Sequence, residues 1–145
     1  MNRQLATGIA FASEKHKNQF DKGGRPYILH PIAVAQFLET EDNELMTIGI
    51  LHDVVEDCGV TYAQLTAEGF SLRVVEGVRG MTKIPGETIG ENIARMQLNP
   101  DVIRVKICDL RHNMDLRRLR PEPKEKDFDR MRKYIYMYDV LYRSR

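Results

Sequence analysis

Apolar positions recur at three- and four-residue spacing along most of the chain, and glycine, proline and short polar clusters interrupt them. Leu5, Ile9, Ala12 and His16 predict an amphipathic helix over residues 3–18. The stretch FDKGGRPY (20–27) breaks it, through Gly23, Gly24 and Pro26. Pro31 suits the first turn of a helix, where its missing N–H costs nothing, and residues 32–39 continue that helix. Residues 44–57, ELMTIGILHDVVED, predict one continuous helix, apolar nearly all round and therefore central to the fold. Gly59 ends it.

Thr61 and Gly69 are the expected caps of a short helix between them, and Ser71 is the expected start of a helix over 71–81. Residues 86–98 read as amphipathic through Ile89, Ile93 and Met96. Pro100 opens a helix over 101–119, with Val102, Val105, Ile107, Cys108 and Met114 facing inward. A polar linker at 121–126 precedes a last helix from about 127 to 143, marked by Phe128, Met131, Tyr134, Ile135, Tyr138 and Leu141. There is no repeat and no convincing strand pair. The expectation is an all-α fold of seven or eight helices, with residues 1–145 forming one domain.

Composition narrows the function classes. Lys plus Arg is 22 and Asp plus Glu is 21, a formal charge of +1. That balance argues against extended nucleic-acid or membrane-surface binding, yet allows a small basic pocket. Cys58 and Cys108 form no C-x-x-C pair, which points to a reducing cytoplasm rather than a disulfide scaffold. No apolar run approaches the ~18 residues that span a bilayer, and the N-terminal segment turns polar too early for a signal peptide. A soluble cytoplasmic protein is expected, with self-association left open.

The chemistry concentrates at His52. It lies in LHDVVED and is followed by Asp53, Glu56 and Asp57. Three carboxylates and an imidazole on an apolar helix are costly to bury without a compensating charge. On a continuous helix His52 and Glu56 stack one turn apart, ~6 Å along the axis, and Asp53 and Asp57 form a second stack rotated by ~100°. A divalent cation at the His52–Asp53 level would neutralise the cluster and leave the next level to handle water. Two residues cannot fill a metal site. His30 and Asp109, the latter among the apolar neighbours of VKICDL, are candidates for the remaining ligands. Two nitrogens and two oxygens suit Mn, Fe, Co or Zn.

Plainer readings stay open beside this one. Asp109 would also suit a structural ion pair with Lys106 or Arg111. His16 reads as a hydrogen-bonded core or rim histidine, and Cys108 as a small buried filler. Met131, Tyr134 and Tyr138 read as core, and Arg117, Arg118 and Arg120 as a solvated face. His112 and Asn113 would serve equally to brace their helix.

The ordered set of His30-Pro31, His52-Asp53, Glu56-Asp57 and Asp109 resembles the HD-domain metal-dependent phosphohydrolases. It is most similar to the hydrolase domain of the Rel/Spo alarmone enzymes, including the small stand-alone alarmone hydrolases. The matching stretches are RPYILHPIAVAQFL (25–38), ILHDVVED (50–57), GVRGMTK (77–83) and VKICDLRHNM (105–114). The resemblance implies a helical HD fold and one divalent ion, usually manganese. His30, His52, Asp53 and Asp109 then stand at its ligand positions, and Glu56 and Asp57 at those of the acidic pair that handles the attacking water. The implied reaction removes the 3′-pyrophosphate of guanosine tetra- or pentaphosphate.

Lys22, Arg25, Tyr27, Lys106, Arg111 and Asn113 are the candidate substrate contacts, with Lys83 a further cation near the motifs. The loop before His30 departs from the R-K-x-G-E-P-Y-like pattern of that family. Asp21 stands where an arginine is expected and Arg25 where an acid is expected. The change falls on substrate recognition and spares the reaction chemistry. Two further readings follow: an HD-type hydrolase of another nucleotide or phosphate ester, and a nucleotide-sensing module with weak turnover.

Overall fold

The computed structural model describes residues 2–119 and 122–145. Arg120 lies outside the described residues. Among these, nine α-helices form, with one 3-10 turn and no strand beyond an isolated bridge between Phe20 and Pro26. The helices are α1 (Gln4–Lys15), α2 (Leu29–Phe37), α3 (Asn43–Leu51), α4 (Val54–Cys58), α5 (Tyr62–Ala67), α6 (Leu72–Met81), α7 (Ile89–Met96), α8 (Pro100–Asn113) and α9 (Glu125–Ser144). The 3-10 turn is Leu116–Arg118.

Local signals start most of these elements. The Asp42, Thr61, Ser71, Thr88 and Asn99 side chains each accept from a backbone N–H of the helix that follows. Thr61 and Gln64 complete a reciprocal capping box. Gly59 closes α4 in the left-handed conformation, at φ 67°.

Helix α3 is the centre. It packs against α1, α2, α6 and α8, and buries Leu45, Ile48, Ile50 and Leu51 almost completely. Each of those side chains contributes about 1.5–3 kcal/mol by leaving water. Helix α6 is clamped between α3 and α8 at two glycines. A Cβ on Gly77 would fall 2.4 Å from Ile48 Cδ1, and one on Gly80 would fall 2.4 Å from Val102 Cγ2. Contacts that short force the backbone or its neighbour to shift, so the small residues of GVRGM set how closely the three helices approach.

The expected helix over 44–57 is in fact two, α3 and α4. The break falls at His52 and Asp53 and has a local cause. His52 Nδ1 donates to the Gly49 carbonyl at 2.6 Å. That carbonyl would otherwise take the Asp53 N–H, so the imidazole interrupts the helical ladder. The helix expected over 101–119 stops at Asn113, where Met114 and Asp115 lead into the 3-10 turn. On α9 the inner face runs through Met131, Tyr134, Met137, Tyr138 and Leu141. Phe128 and Ile135, expected inside, are exposed, as are Ile9 and Ile89. Their helices each bury a narrower stripe than hydropathy suggests. No described helix is long and apolar enough to cross a membrane.

Candidate metal centre

Three elements deliver four side chains to one point. The first turn of α2 brings His30, the α3–α4 break brings His52 and Asp53, and the third turn of α8 brings Asp109. His30 Nε2 lies 2.9 Å from Asp109 Oδ1 and 3.7 Å from Asp53 Oδ2. His52 Nε2 lies 3.0 Å from Asp53 Oδ2 and 3.4 Å from Asp109 Oδ1. Ligand atoms of His30, His52 and Asp109 all fall within 4.8 Å of one another. Both imidazoles and Asp109 are buried.

Each of these four side chains is held by further contacts. His52 Nδ1 must carry the proton it gives to Gly49, so in the neutral ring Nε2 presents a bare lone pair. That lone pair faces two carboxylates. Nε2 is buried and has no hydrogen-bond partner. Such an arrangement asks for a cation among these atoms. Burial alone would push the His52 pKa down, but Asp53 and Asp109 outweigh it and hold it well above its ordinary value. The donor set fits a divalent ion.

His30 Nδ1 lies 2.8 Å from His112 Nδ1, and the two rings stack with centroids 5.0 Å apart. Burial, and then Arg118, lower His112 to a pKa of about 4, so it is neutral. With His112 as acceptor, His30 turns its Nε2 lone pair to the centre. Tyr27 Oη donates to Asp53 Oδ2 at 2.6 Å. Burial and the Asp53 carboxylate push the Tyr27 phenol up, so it stays a donor. Lys106 Nζ donates to Asp109 Oδ2 at 2.8 Å and Asn113 Nδ2 to Oδ1 at 3.0 Å. Burial opposes ionisation of Asp109, yet Lys106 and the two histidines hold its pKa well below the ordinary value. Asp53 falls to about 2, His52 prevailing over the cost of burial.

The centre forms the floor of a cavity of about 340 Å³, within the usual size of small-ligand sites. Glu56 and Asp57 line it one turn beyond the ligands. Glu56 Oε1 accepts from the Lys83 backbone N–H at 2.7 Å, which fastens α4 to the loop after α6. Asp57 Oδ2 accepts from Gln19 Nε2 at 3.1 Å. Partial burial, with Asp53 and Glu56 nearby, raises the Asp57 pKa above its ordinary value.

The expected substrate contacts divide. Lys22, Tyr27, Lys106 and Asn113 line the cavity, but Arg25 and Arg111 do not. Arg25 is exposed on its loop. Arg111 lies over the Phe37 ring at 4.8 Å, on the outside of α8. It follows the inward-facing Leu110 by one position and Asp109 by two, about 100° and 200° around the helix, which explains the placement. Lys106, Tyr27 and Asn113 also brace the ligands, so their polar heads are already engaged.

Three residues that sequence reasoning did not assign to the site also line the cavity: Arg118, Arg130 and Tyr134. Arg118 was expected on a solvated face. Instead its Nη1 donates to the His112 carbonyl at 3.2 Å and to Asn113 Oδ1 at 3.1 Å. Tyr134 was expected in the core, and Arg130, which donates to Asp127, carried no signal. All three arrive from beyond Asn113, because the chain turns back at 116–118 and α9 lies along α8. Nothing local encodes that return.

The profile of the HD domain matches residues 8–137. The chain belongs to the HD domain family. Among similar curated proteins, a probable GTP pyrophosphokinase of Mycobacterium leprae is 37% identical over 125 residues, covering 79% of this chain and 16% of that protein. A guanosine-3′,5′-bis(diphosphate) 3′-pyrophosphohydrolase of Vibrio cholerae is 37% identical over 136 residues, covering 84% of this chain and 19% of its own. This HD domain therefore spans less than a fifth of the length of these relatives. A solved structure of a metazoan orthologue of SpoT, described as hydrolysing ppGpp, superposes with a TM-score of 0.77. It shares 21% identity and covers 99% of this chain and 96% of its own, which shows that the two have the same fold.

Proposed function

We propose that this HD domain is a manganese-dependent phosphohydrolase that removes the 3′-pyrophosphate of guanosine 3′,5′-bis(diphosphate) or the corresponding pentaphosphate. The main support is the unpartnered Nε2 of His52, facing Asp53 and Asp109 in a cavity also lined by Lys22, Lys83, Arg118 and Arg130. Similarity to proteins named for that pyrophosphohydrolase activity supports the choice of substrate.

His30, His52, Asp53 and Asp109 would hold the ion. When bound, the ion lowers the pKa of water and offsets negative charge on a phosphoryl oxygen. The chain's own groups do the rest. Asp57, its pKa raised by partial burial, takes a proton from the attacking water. The acidic pair returns a proton to the ribose 3′-oxygen as its bond to phosphorus breaks. GDP or GTP and pyrophosphate leave. Lys22, Lys83, Arg118 and Arg130 offset phosphate charge along the wall, and Tyr27 and Tyr134 offer flat faces to sugar or base.

Purified protein loaded with Mn²⁺ should release pyrophosphate from the tetraphosphate. Glu56→Gln should keep its metal and lose about 10²-fold or more in kcat, as expected for a proton-transfer group. Metal-replete protein that turns over no phosphate ester would end this reading.

A second reading, another nucleotide as substrate, has one observation in its favour. Asp21 Oδ1 is spent on its own turn, accepting from Gly23 N–H and Arg25 N–H at 2.9 Å, while Arg25 does not line the cavity. The loop thus offers no arginine to a guanine base. Orthophosphate instead of pyrophosphate among the products, across a nucleotide panel, would favour this alternative.

A further inference from the structure

His16 is one of the most buried polar side chains in the molecule, at 1% exposure, and the proposed chemistry makes no use of it. Its Nδ1 lies 2.7 Å from Gln19 Oε1 and 3.3 Å from Cys58 Sγ. Its Nε2 is buried without a partner. The Gln19 oxygen can only accept, so His16 Nδ1 donates to it. The same Gln19 amide donates from Nε2 to Asp57 Oδ2 at 3.1 Å. Its orientation is therefore set from both sides. An imidazole N–H demands the oxygen at one end, and a carboxylate demands the NH₂ at the other.

The Gln19 backbone is equally held. Its N–H donates to the His16 carbonyl and its carbonyl accepts from the Tyr27 N–H, each at 2.9 Å. The His16 ring also packs at 5.1 Å from the Tyr27 ring. Tyr27 in turn donates to Asp53. One short segment, 16–27, thus grips the two aspartates at either end of α4.

We infer that His16 and Gln19 are positioning residues for Asp57, an imidazole–amide relay that occupies Oδ2 and leaves Oδ1 to face the cavity. This rests on the reading of Asp57 as a proton-transfer group. Losing the Gln19 donor frees the carboxylate to rotate, which costs rate without removing charge, metal or substrate contacts. Partners of this kind typically contribute 10–100-fold.

The test uses the Mn²⁺-loaded full chain with guanosine 3′,5′-bis(diphosphate). Gln19→Met should lower kcat about tenfold, leave KM within about twofold, and leave metal content and melting temperature unchanged. Gln19→Glu still accepts from His16 but faces Asp57 with a like charge, and should lose at least as much rate. His16→Phe keeps the ring packing and removes only the donor, so it should fall between wild type and Gln19→Met. Asp57→Asn should lose more than any of these, and adding Gln19→Met to it should cost nothing further. A Gln19 variant with wild-type kcat, while Asp57→Asn is impaired, overturns the relay and spares the role of Asp57. Loss of metal or a raised KM in the Gln19 variants also overturns it, by showing a general structural role. Full activity of Asp57→Asn overturns both readings together.

Discussion

The two ends of α3 carry comparable clusters of charge, and only one of them is closed. At the N-terminal end, Arg73 reaches from α6 to the cap residue of α3 and the first turn of α8. Its guanidinium donates to both oxygens of Asp42, at 3.1 and 2.7 Å, and to both of Asp101, at 2.8 and 3.0 Å. Asp42 also caps Leu45, and Glu44 accepts from Ser71. Every carboxylate of this cluster accepts at least one side-chain hydrogen bond. At the C-terminal end, two carboxylates and two imidazoles converge, and one ring nitrogen finds no partner. The first arrangement joins three helices. The second holds electrostatic tension that an ion would relieve. The same helix is thus stabilised at one end and made ready to bind at the other.

The largest expected effect breaks the open end. His52→Ala or Asp53→Ala should each lose bound metal and at least on the order of 10³-fold in kcat, beyond the 10–100-fold typical of residues that only support a ligand. Metal content and kcat measured on the same samples check this. Retention of a full equivalent of metal in both variants would remove these residues from the ligand set.

Breaking the closed end should do the reverse. Arg73→Met should cost about 1–2 kcal/mol in urea unfolding, near the lower end for charged hydrogen bonds because the side chain is 37% exposed. Its metal content should not change.

Acid should then sharpen the contrast. Hydrogen bonds from Arg73 lower the Asp42 pKa below its ordinary value of 3.8, so the pair's contribution is complete above that pH and fades as pH falls through the lower, folded-state value. The stability gap between wild type and Arg73→Met should hold from pH 7 to about 5 and narrow below about 4. A gap that widens in acid would contradict the assignment.

The smallest effects belong to the two arginines that lie off the cavity. Arg111→Ala should cost about 0.5 kcal/mol, the value of an exposed cation–π contact, through its loss over Phe37. Arg25→Ala should leave KM unchanged. A clear rise in KM for either would bring that residue back to the substrate.

Much of this was legible in the sequence because the signals are local. Thr61 and Ser71 announce their helices through side-chain oxygens that reach their own backbone, and Gly59 ends α4 for want of a Cβ. The apolar run 45–51 marks α3 as central whatever surrounds it. That His30, His52, Asp53 and Asp109 converge was legible for a different reason. The cost of burying charged groups among apolar neighbours made them candidates, and the resemblance to the HD-domain hydrolases set them together.

Only the tertiary structure decided the rest. It turned Arg111 outward and Arg118 inward, seven residues apart on a chain that reverses between them. It also joined His16 to Asp57 through Gln19. These outcomes depend on where one helix lies against another. Packing between distant segments sets that, and no periodicity within a single segment encodes it.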